Sequence, residues 1–363
     1  MVHLYKNNGY NMVLDVNSGS IHVVDDVVYD VLELLNEAED RRKEEGFRQE
    51  ITDKMLAKYG EDITAEDMKD VFEDLDELEE NGTLFTVDVY KEGVIDFKKR
   101  QTVVKALCLH IAHDCNLACR YCFAGEGEYK GDRSLMSLEV GKKALDFLVA
   151  NSGNRRNLEV DFFGGEPLMN FDVVKELVAY GRELEKTHDK HFRFTLTTNG
   201  VLLRDDVIEF ANKEMDNIVL SIDGRKEVHD HMRPFKNGKG SYDFILDKFK
   251  KVAESRNQQK YYVRGTFTRN NLDFADDVIH YADLGFQQMS MVPVVADPAE
   301  DYAIREEDIP QILKEYDKLA LTRVRLRKAP ARGILNGPNC NTARLDSRNN
   351  AVGGTSDRRL RRP

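Results

Sequence analysis

The chain has 363 residues, of which 41% are hydrophobic and 33% are charged, and it carries a net charge of −12. At ~150 residues per domain, this length predicts two or three domains with room for sizeable cores. The negative charge argues against a general nucleic-acid binder, and no apolar run approaches the ~18–20 residues that span a bilayer. The first residues lack the apolar stretch of a signal peptide, so we expect a cytoplasmic protein without nucleic-acid or membrane partners.

Residues 1–95 are predicted to form a small acidic unit, since residues 1–100 hold 26 acidic and 12 basic side chains. Two short β-rich runs flank Asn17, Ser18 and Gly19, which predicts a hairpin. Apolar periodicity then predicts three helices and a last strand. In chain order the elements are strands 10–16 and 20–25, helices 27–35, 47–59 and 65–80, and a strand at 84–88. This order is typical of a winged-helix-like domain.

Strands and helices alternate along the middle of the chain. Six runs predict buried strands, at 104–111, 158–163, 192–198, 218–222, 261–268 and 287–294. Helical patterns follow near 137–150, 171–187, 205–214, 242–255, 274–284 and 308–320. The alternation predicts an α/β fold with a parallel sheet, either a full or partial barrel or a doubly wound sheet. In each of these architectures the chemistry belongs at the carboxyl ends of the strands.

The end of the chain breaks this pattern, because residues 322–363 hold 11 basic and 2 acidic side chains. No periodicity there covers enough apolar residues to form a core, so we expect disorder. Residues 326–363 are therefore interpreted as a basic tail. Two hypotheses explain it: a natural segment that binds an acidic partner, or an out-of-frame translation.

Cysteine usage gives the first chemical signal. Three of the five cysteines, Cys115, Cys119 and Cys122, follow the first strand of the alternating region with the spacing Cys-x3-Cys-x2-Cys. An odd total argues against a disulfide framework, and a tight trio of thiolates favours a soft metal or an iron–sulfur cluster. Three thiolates hold three irons of a cubane and leave the fourth iron for an exogenous ligand. Tyr121 is placed to shield such a cluster.

Nearby residues leave an alternative open. His110 and His113 keep a zinc site possible, although no fourth ligand stands at a standard zinc offset. Cys108 lies within the first of these strands and is expected to face a core as a buried small hydrophobe.

The segment from Cys115 to Phe123 resembles the signature of the radical S-adenosylmethionine (SAM) superfamily. The resemblance implies a partial (β/α)6 barrel over residues 100–325, one [4Fe–4S] cluster on the three cysteines, and SAM bound at the free iron. It also implies reductive cleavage of SAM to a 5′-deoxyadenosyl radical, which removes a hydrogen from the substrate. An electron donor such as flavodoxin or ferredoxin would supply the electron.

Glycines and polar side chains close the strands that follow the cysteine motif. Paired glycines let a backbone approach a neighbour closely, and a serine and an aspartate two residues apart point to one side of a strand. Ordinary turns, caps and surface ion pairs would explain the same residues individually. The resemblance implies contacts to the SAM amino group, ribose and carboxylate from this set: Tyr121, Gly164, Gly165, Glu166, Asn199, Ser221, Asp223 and Arg233.

Three further polar residues are weaker candidates. His229 and His231 could face a substrate, but ordinary loop histidines are the favoured interpretation. Arg264, on the fifth strand, is equally consistent with packing. No residue is assigned a catalytic acid or base role.

Two longer runs, residues 108–124 and 160–170, resemble the maturases of SCIFF peptides, which are cysteine-rich precursors made on the ribosome. This resemblance spans residues 1–325 and implies a radical SAM (SPASM-type) peptide maturase that joins a cysteine sulfur to an α-carbon as a thioether. The N-terminal unit would recognise the leader of the precursor by adding it as a strand beside Ile21–Val24. These maturases also carry C-terminal auxiliary clusters. Here only Cys340 follows Cys122, and one thiolate does not hold a cubane.

Other functions stay open at this point. One is a sulfatase-maturase-like radical SAM oxidase that acts on a protein residue, and another is a radical SAM enzyme for a small molecule. A third is a protein that binds SAM and a leader peptide without turnover.

Overall fold

Three antiparallel strands and three helices build the N-terminal part of the chain. The structure, a computed structural model, describes residues 2–88, 103–327 and 334–335 and divides near residue 101 into two units. The elements of the first unit are β1 (Val2–Asn7), β2 (Tyr10–Asp15), β3 (Ile21–Val24), α1 (Asp26–Glu37), α2 (Glu45–Tyr59) and α3 (Ala65–Glu80). The sheet order is β1-β2-β3, so β1 and β3 are its two edges.

Capping and apolar stripes explain these helices. Thr64 and Asp67 form a reciprocal capping box at the start of α3, which satisfies backbone donors that the helix cannot. Each helix buries one apolar side, and Val31, Ile51 and Met68 are at most 1% exposed in the shared core. The predicted hairpin and three helices are therefore present, as expected for a winged-helix-like unit.

Two details of this unit differ from the sequence prediction. The pattern misses β1, because only Val2 among its six residues is buried. The predicted strand at 84–88 is wrong. Leu84 and Phe85 are consecutive buried residues that close the core, and Phe85 has a left-handed φ of 49°, which a strand does not allow.

Strands and helices alternate through the second unit. Its strands are β4 (Ala106–Ala112), β5 (Asn157–Gly164), β6 (His191–Thr198), β7 (Asn217–Ser221), β8 (Tyr261–Phe267), β9 (Gln288–Pro293) and β10 (Ile334–Leu335). Its helices are α4 (Leu138–Asn151), α5 (Phe171–Thr187), α6 (Asp205–Glu214), α7 (Lys226–Met232), α8 (Tyr242–Ser255), α9 (Phe274–Asp283) and α10 (Ile309–Arg327). The seven-residue α7 is the helix that periodicity did not predict, because it is too short to show a repeat.

The strand order decides between the predicted architectures. The sheet runs β10-β9-β8-β7-β6-β5-β4, and every pair in it is parallel. A doubly wound sheet reverses its strand order at a switch point, and this order has no reversal. Six βα units that advance in one direction confirm the partial (β/α)6 barrel.

The two sides of this sheet differ in chemistry. On β5, Leu158, Val160 and Phe162 are at most 1% exposed and pack under the helices. We call this side the outer face. The inner face carries the alternate residues, among them Asp161 and Phe163, which are only partly buried.

Cys108 lies on the inner face, which corrects its prediction as a buried hydrophobe. Leu109 and Ile111 take the buried outer positions of β4, so alternation turns Cys108 the other way and leaves it exposed. The inner face of an open barrel is not filled by a second layer, and strand alternation alone does not show this.

The tail prediction falls mostly outside the described residues. Within 326–363, α10 continues to Arg327 and Ile334–Leu335 pairs with β9, which departs from the expected disorder at those positions. Across the described part of the chain, no helix has both the length and the apolar character needed to span a membrane.

Candidate active site

The three motif cysteines line one pocket at the carboxyl ends of the strands. They lie in the loop after β4. Cys115 is buried, and its sulfur accepts a hydrogen bond from the Leu117 backbone N–H at 3.5 Å. Burial raises the pKa of the Cys115 thiol to about 12 and also raises the pKa of Cys119. Such thiols become thiolates only when a strong positive charge, such as iron, binds them.

The arrangement of donors bears on the kind of metal centre. In the described ranges, no three histidine, cysteine or carboxylate side chains converge as ligands of a single ion. Of the residues of the zinc alternative, His110 stacks on Tyr129 with ring centroids 4.4 Å apart, and His113 is tilted against the same ring at 4.9 Å. A cubane places its thiolates on different irons, so its ligands stand further apart than those of one ion. Three cysteines around one pocket fit such a cluster.

Backbone hydrogen bonds fix the cysteine loop against the segment after α7. The Ala118 N–H donates to the Pro234 carbonyl and the Arg120 N–H donates to the Met232 carbonyl, both at 2.9 Å. The Arg120 side chain adds a 2.7 Å bond to the carbonyl of His231. These three hydrogen bonds anchor the cysteine loop to the protein.

Gly164, the last residue of β5, and Gly165, which follows it, also help to hold the cysteine loop in place. A Cβ on Gly164 would lie 2.5 Å from the Ala112 carbonyl oxygen, and one on Gly165 would lie 2.2 Å from that of Asp114. The Gly165 N–H donates to Ala112 at 2.8 Å. Both glycines line the pocket, and they allow close approach of the backbone of Ala112, the last residue of β4, and of Asp114, in the cysteine loop.

Glu166 lies beneath the pocket wall and is fully buried. Its carboxylate accepts hydrogen bonds from the Asn199 N–H and the Thr198 hydroxyl, both at 2.8 Å, and from the Leu168 N–H at 3.1 Å. Burial raises its pKa to about 7. The Asn199 amide donates to Asn116 at 2.7 Å and reaches the Cys115 sulfur at 3.6 Å. Glu166 thus positions Asn199 beside the cysteine loop.

Tyr121, Asp223 and Arg233 form a buried network on the other side of the pocket. The Tyr121 hydroxyl donates to Asp223 and accepts from Arg233 at 2.8 Å. Asp223 also accepts from the Thr266 N–H at 3.1 Å and lies 3.9 Å from Arg233. Asp223 is fully buried in these contacts, whereas Ser221 lines the pocket.

Arg233 also keeps a free donor at this site. Its Nε is buried and has no hydrogen-bond partner in the described part of the chain, and the side chain lines the pocket. An unpaired buried donor of a cation suits an anionic group such as a carboxylate.

His229 and His231 do not line the pocket. His229 is fully buried: its Nδ1 accepts from the Asp223 N–H at 3.2 Å, and its Nε2 lies 2.9 Å from the Ser241 hydroxyl. Burial and the nearby Arg233 hold the pKa of His229 well below its usual value. Both histidines lie on α7, so their predicted placement in a loop is wrong, because the helix is too short to show a periodic pattern.

The sequence reasoning predicted Gly164 and Ser221 but missed other pocket residues of the strands. Phe163 and Thr197 line the pocket from the inner face, and Asp161 lies on the same face beside Thr197. Strand alternation predicts which strand residues face the pocket, once the side of the sheet that faces the helices is known.

Comparison with known proteins agrees with the fold and the site. Residues 109–268 match the sequence model of the radical SAM superfamily, so the chain contains a radical SAM domain. That segment includes the cysteine loop and β5 to β8.

Individual relatives cover parts of the chain. An uncharacterized protein of Methanocaldococcus jannaschii is 31% identical over 180 residues, 49% of this chain and 58% of that protein. A cysteine-type anaerobic sulfatase-maturating enzyme of Clostridium novyi is 26% identical over 212 residues, 56% of this chain and 55% of that enzyme. The solved structure of anSMEcpe with bound AdoMet and Cp18Cys peptide superposes with a TM-score of 0.55 at 18% identity, covering 64% of this chain and 63% of that one. The chain thus spans about half the length of the curated relatives it matches.

Proposed function

We propose that this protein cleaves SAM reductively and removes a hydrogen from a ribosomally made, cysteine-rich peptide, in which a cysteine sulfur is then joined to an α-carbon as a thioether. The hydrogen atom would pass to the 5′-deoxyadenosyl radical and the thiol proton to solvent, and the electron released as the sulfur–carbon bond forms would return to the oxidised cluster, so that SAM is the net oxidant. One observation carries the first part: Cys115, Cys119 and Cys122 line a single pocket whose other walls hold Ser221 and Arg233. The resemblance of residues 108–124 and 160–170 to SCIFF maturases supports the peptide substrate and the thioether.

Five of the pocket residues have a defined role in this proposal. The three cysteines would hold one [4Fe–4S] cluster, and the chemistry such a cluster supplies when bound is the one-electron reduction of SAM. The free Nε donor of Arg233 suits the SAM carboxylate, and the Ser221 hydroxyl suits the ribose.

The buried network beside these residues supports them without reaching the ligand. Asp223 would contribute by holding Tyr121 and Arg233 in place, and Glu166 by holding Asn199.

The N-terminal sheet supports a peptide partner. Among the described residues β3 is an edge strand, and Ile21 and Val23 are 56% and 60% exposed. The Asp15 N–H donates to the Ser20 carbonyl, and antiparallel alternation from that pair turns the backbone groups of Ile21 and Val23 away from β2. An extended leader peptide would add to this edge as a fourth strand.

A proline on β3 tests the leader site. Val23→Pro removes one outward N–H donor and leaves the β2–β3 ladder intact, so binding of a synthetic SCIFF-type leader peptide should weaken at least about tenfold. Val23→Ala is the matched control, since it loses the side chain and keeps the N–H. Equal binding by wild type and Val23→Pro, measured by fluorescence anisotropy, would rule this edge out.

The reaction is tested by product analysis. The anaerobically reconstituted chain should form 5′-deoxyadenosine from SAM with dithionite, and Cys119→Ser should form none. With a SCIFF-type precursor, mass spectrometry should show the loss of two hydrogens and of a free thiol. Binding of SAM without 5′-deoxyadenosine would favour the non-enzymatic alternative.

A second candidate rests on the 26% identity to the sulfatase-maturating enzyme of Clostridium novyi. In that case the product would be an oxidised residue in a protein substrate, with no cross-link. The same mass spectra distinguish the two, because a thioether links two residues of the peptide and an oxidised side chain does not.

A further inference from the structure

Asp161 is a carboxylate on the inner face of the barrel, directly beside the SAM pocket. Phe163, two residues later on β5, and Thr197, on β6, both line that pocket. Thr197 Oγ1 donates to Asp161 Oδ1 at 3.2 Å and lies 3.4 Å from Oδ2. Asp161 therefore lies two residues before Phe163 on the same face of β5, further inside the barrel than the residues that line the pocket.

The carboxylate of Asp161 accepts few hydrogen bonds for a charged group on the inner face of the barrel. Within the described residues Thr197 is its sole hydrogen-bond donor, and it forms no ion pair there. Glu166, by comparison, receives three hydrogen bonds. Asp161 is partly buried and its two oxygens share one protein donor, so it can accept a further hydrogen bond from a ligand on this face.

Arg264 supplies the opposite charge on the same face. It lies on β8 between the buried Val263 and Gly265, in register with Ser221 of β7, which lines the pocket. Its side chain is exposed, and it makes no hydrogen bond or ion pair with any residue that the structure describes. Register and alternation therefore place Arg264 on the same inner face as Asp161, and no ion pair joins the two groups in the described part of the chain.

We propose that Asp161 and Arg264 bind the backbone of the substrate peptide at the residue that loses its hydrogen. Asp161 accepts a hydrogen bond from the N–H of that residue, and Arg264 donates to its carbonyl oxygen. This inference rests on the proposed function, and it deepens it by naming the residues that hold the target. A carboxylate accepts from an N–H and a guanidinium donates to a carbonyl oxygen, which are the two backbone groups that flank an α-carbon.

The test measures where the abstracted hydrogen comes from. A synthetic SCIFF-type precursor deuterated at its α-carbons is incubated with the reconstituted full chain, SAM and dithionite, and the deuterated fraction of the 5′-deoxyadenosine is determined. Wild type should transfer deuterium, and Asp161→Asn and Arg264→Gln should each lower the deuterated fraction at least about tenfold, because misplaced substrate permits unproductive cleavage. Glu159→Gln is the matched control: it is also on the inner face of β5, but it pairs with Lys105 and Arg193 away from the pocket.

The outcomes separate the two proposals. A wild-type chain that transfers no deuterium contradicts the proposed function. A wild type that transfers deuterium, with Asp161→Asn matching it, overturns the inference alone. Thermal unfolding provides the second measurement: if Asp161→Asn lowers the Tm by more than about 4 °C relative to Glu159→Gln, the carboxylate has a structural role and the inference is overturned.

Discussion

The outer and inner faces of the parallel sheet are made by alternate residues of the same strands, yet they do different work. On β5, Leu158, Val160 and Phe162 are buried under the helices and determine the fold. Asp161 and Phe163 point the other way, toward the space that the pocket opens into. The comparison shows that the outer face consists of apolar residues that pack against the helices. The inner face keeps polar groups that packing alone would disfavour.

The largest expected effect separates two cysteines. Cys119 lines the pocket with Cys115 and Cys122, whereas Cys108 lies on the inner face of β4. Cys119→Ser should abolish cluster binding after anaerobic reconstitution, while Cys108→Ser should keep it, as read from the visible absorbance of the cluster. Equal loss in both variants would show that Cys108 is also a ligand.

Adjacent phenylalanines on opposite faces give the next effect. Phe162 is fully buried and stacks on Phe194 with centroids 5.5 Å apart, so Phe162→Ala should lower the free energy of unfolding by about 3–5 kcal/mol. Phe163→Ala should lower it by no more than about half as much, because Phe163 already lines a pocket. Similar losses in urea unfolding of the two variants would contradict the distinction between the faces.

Replacement of Asp161 should raise the free energy of unfolding, whereas the phenylalanine substitutions lower it. Burial raises its pKa to about 6, above the ordinary ~3.9, so its ionisation lowers stability as the pH rises through this range. Asp161→Asn should therefore be more stable than wild type, by up to about 3 kcal/mol near pH 8, and this difference should vanish below about pH 4. A variant less stable than wild type at pH 8 would show that the carboxylate holds the fold together.

The smallest effect is expected at the exposed start of β5. Glu159 forms ion pairs with Lys105 at 3.6 Å and Arg193 at 3.7 Å, and all three side chains are largely exposed. Glu159→Gln should change the free energy of unfolding by less than about 1 kcal/mol. A larger loss in the same urea measurements would mean that the inner face is structural along its whole length.

Sequence patterns predicted the outer face well and the inner face poorly. The six strands were predictable because their outer residues, such as Val160 and Phe194, form regular apolar repeats. The cysteine loop was predictable because its three ligands are contiguous in sequence. Cys108 was misplaced, since alternation identifies two faces without showing which one the helices cover.

The contacts around the pocket needed the tertiary structure. Asp223 was predicted among the SAM contacts, but its bonds to Tyr121 and to the backbone of Thr266 join segments that are far apart in sequence. Glu166 similarly meets Asn199 only because β5 and β6 are neighbours in the sheet. The motif identified these residues as part of the site, and the fold determines which of them open onto the pocket.

Iron content of the wild-type chain tests the central claim most directly. If Cys115, Cys119 and Cys122 hold one cluster, anaerobic reconstitution should give about four irons per chain. A chain that binds no iron would contradict the proposed site, and about eight irons or more would show cluster ligands beyond these three cysteines.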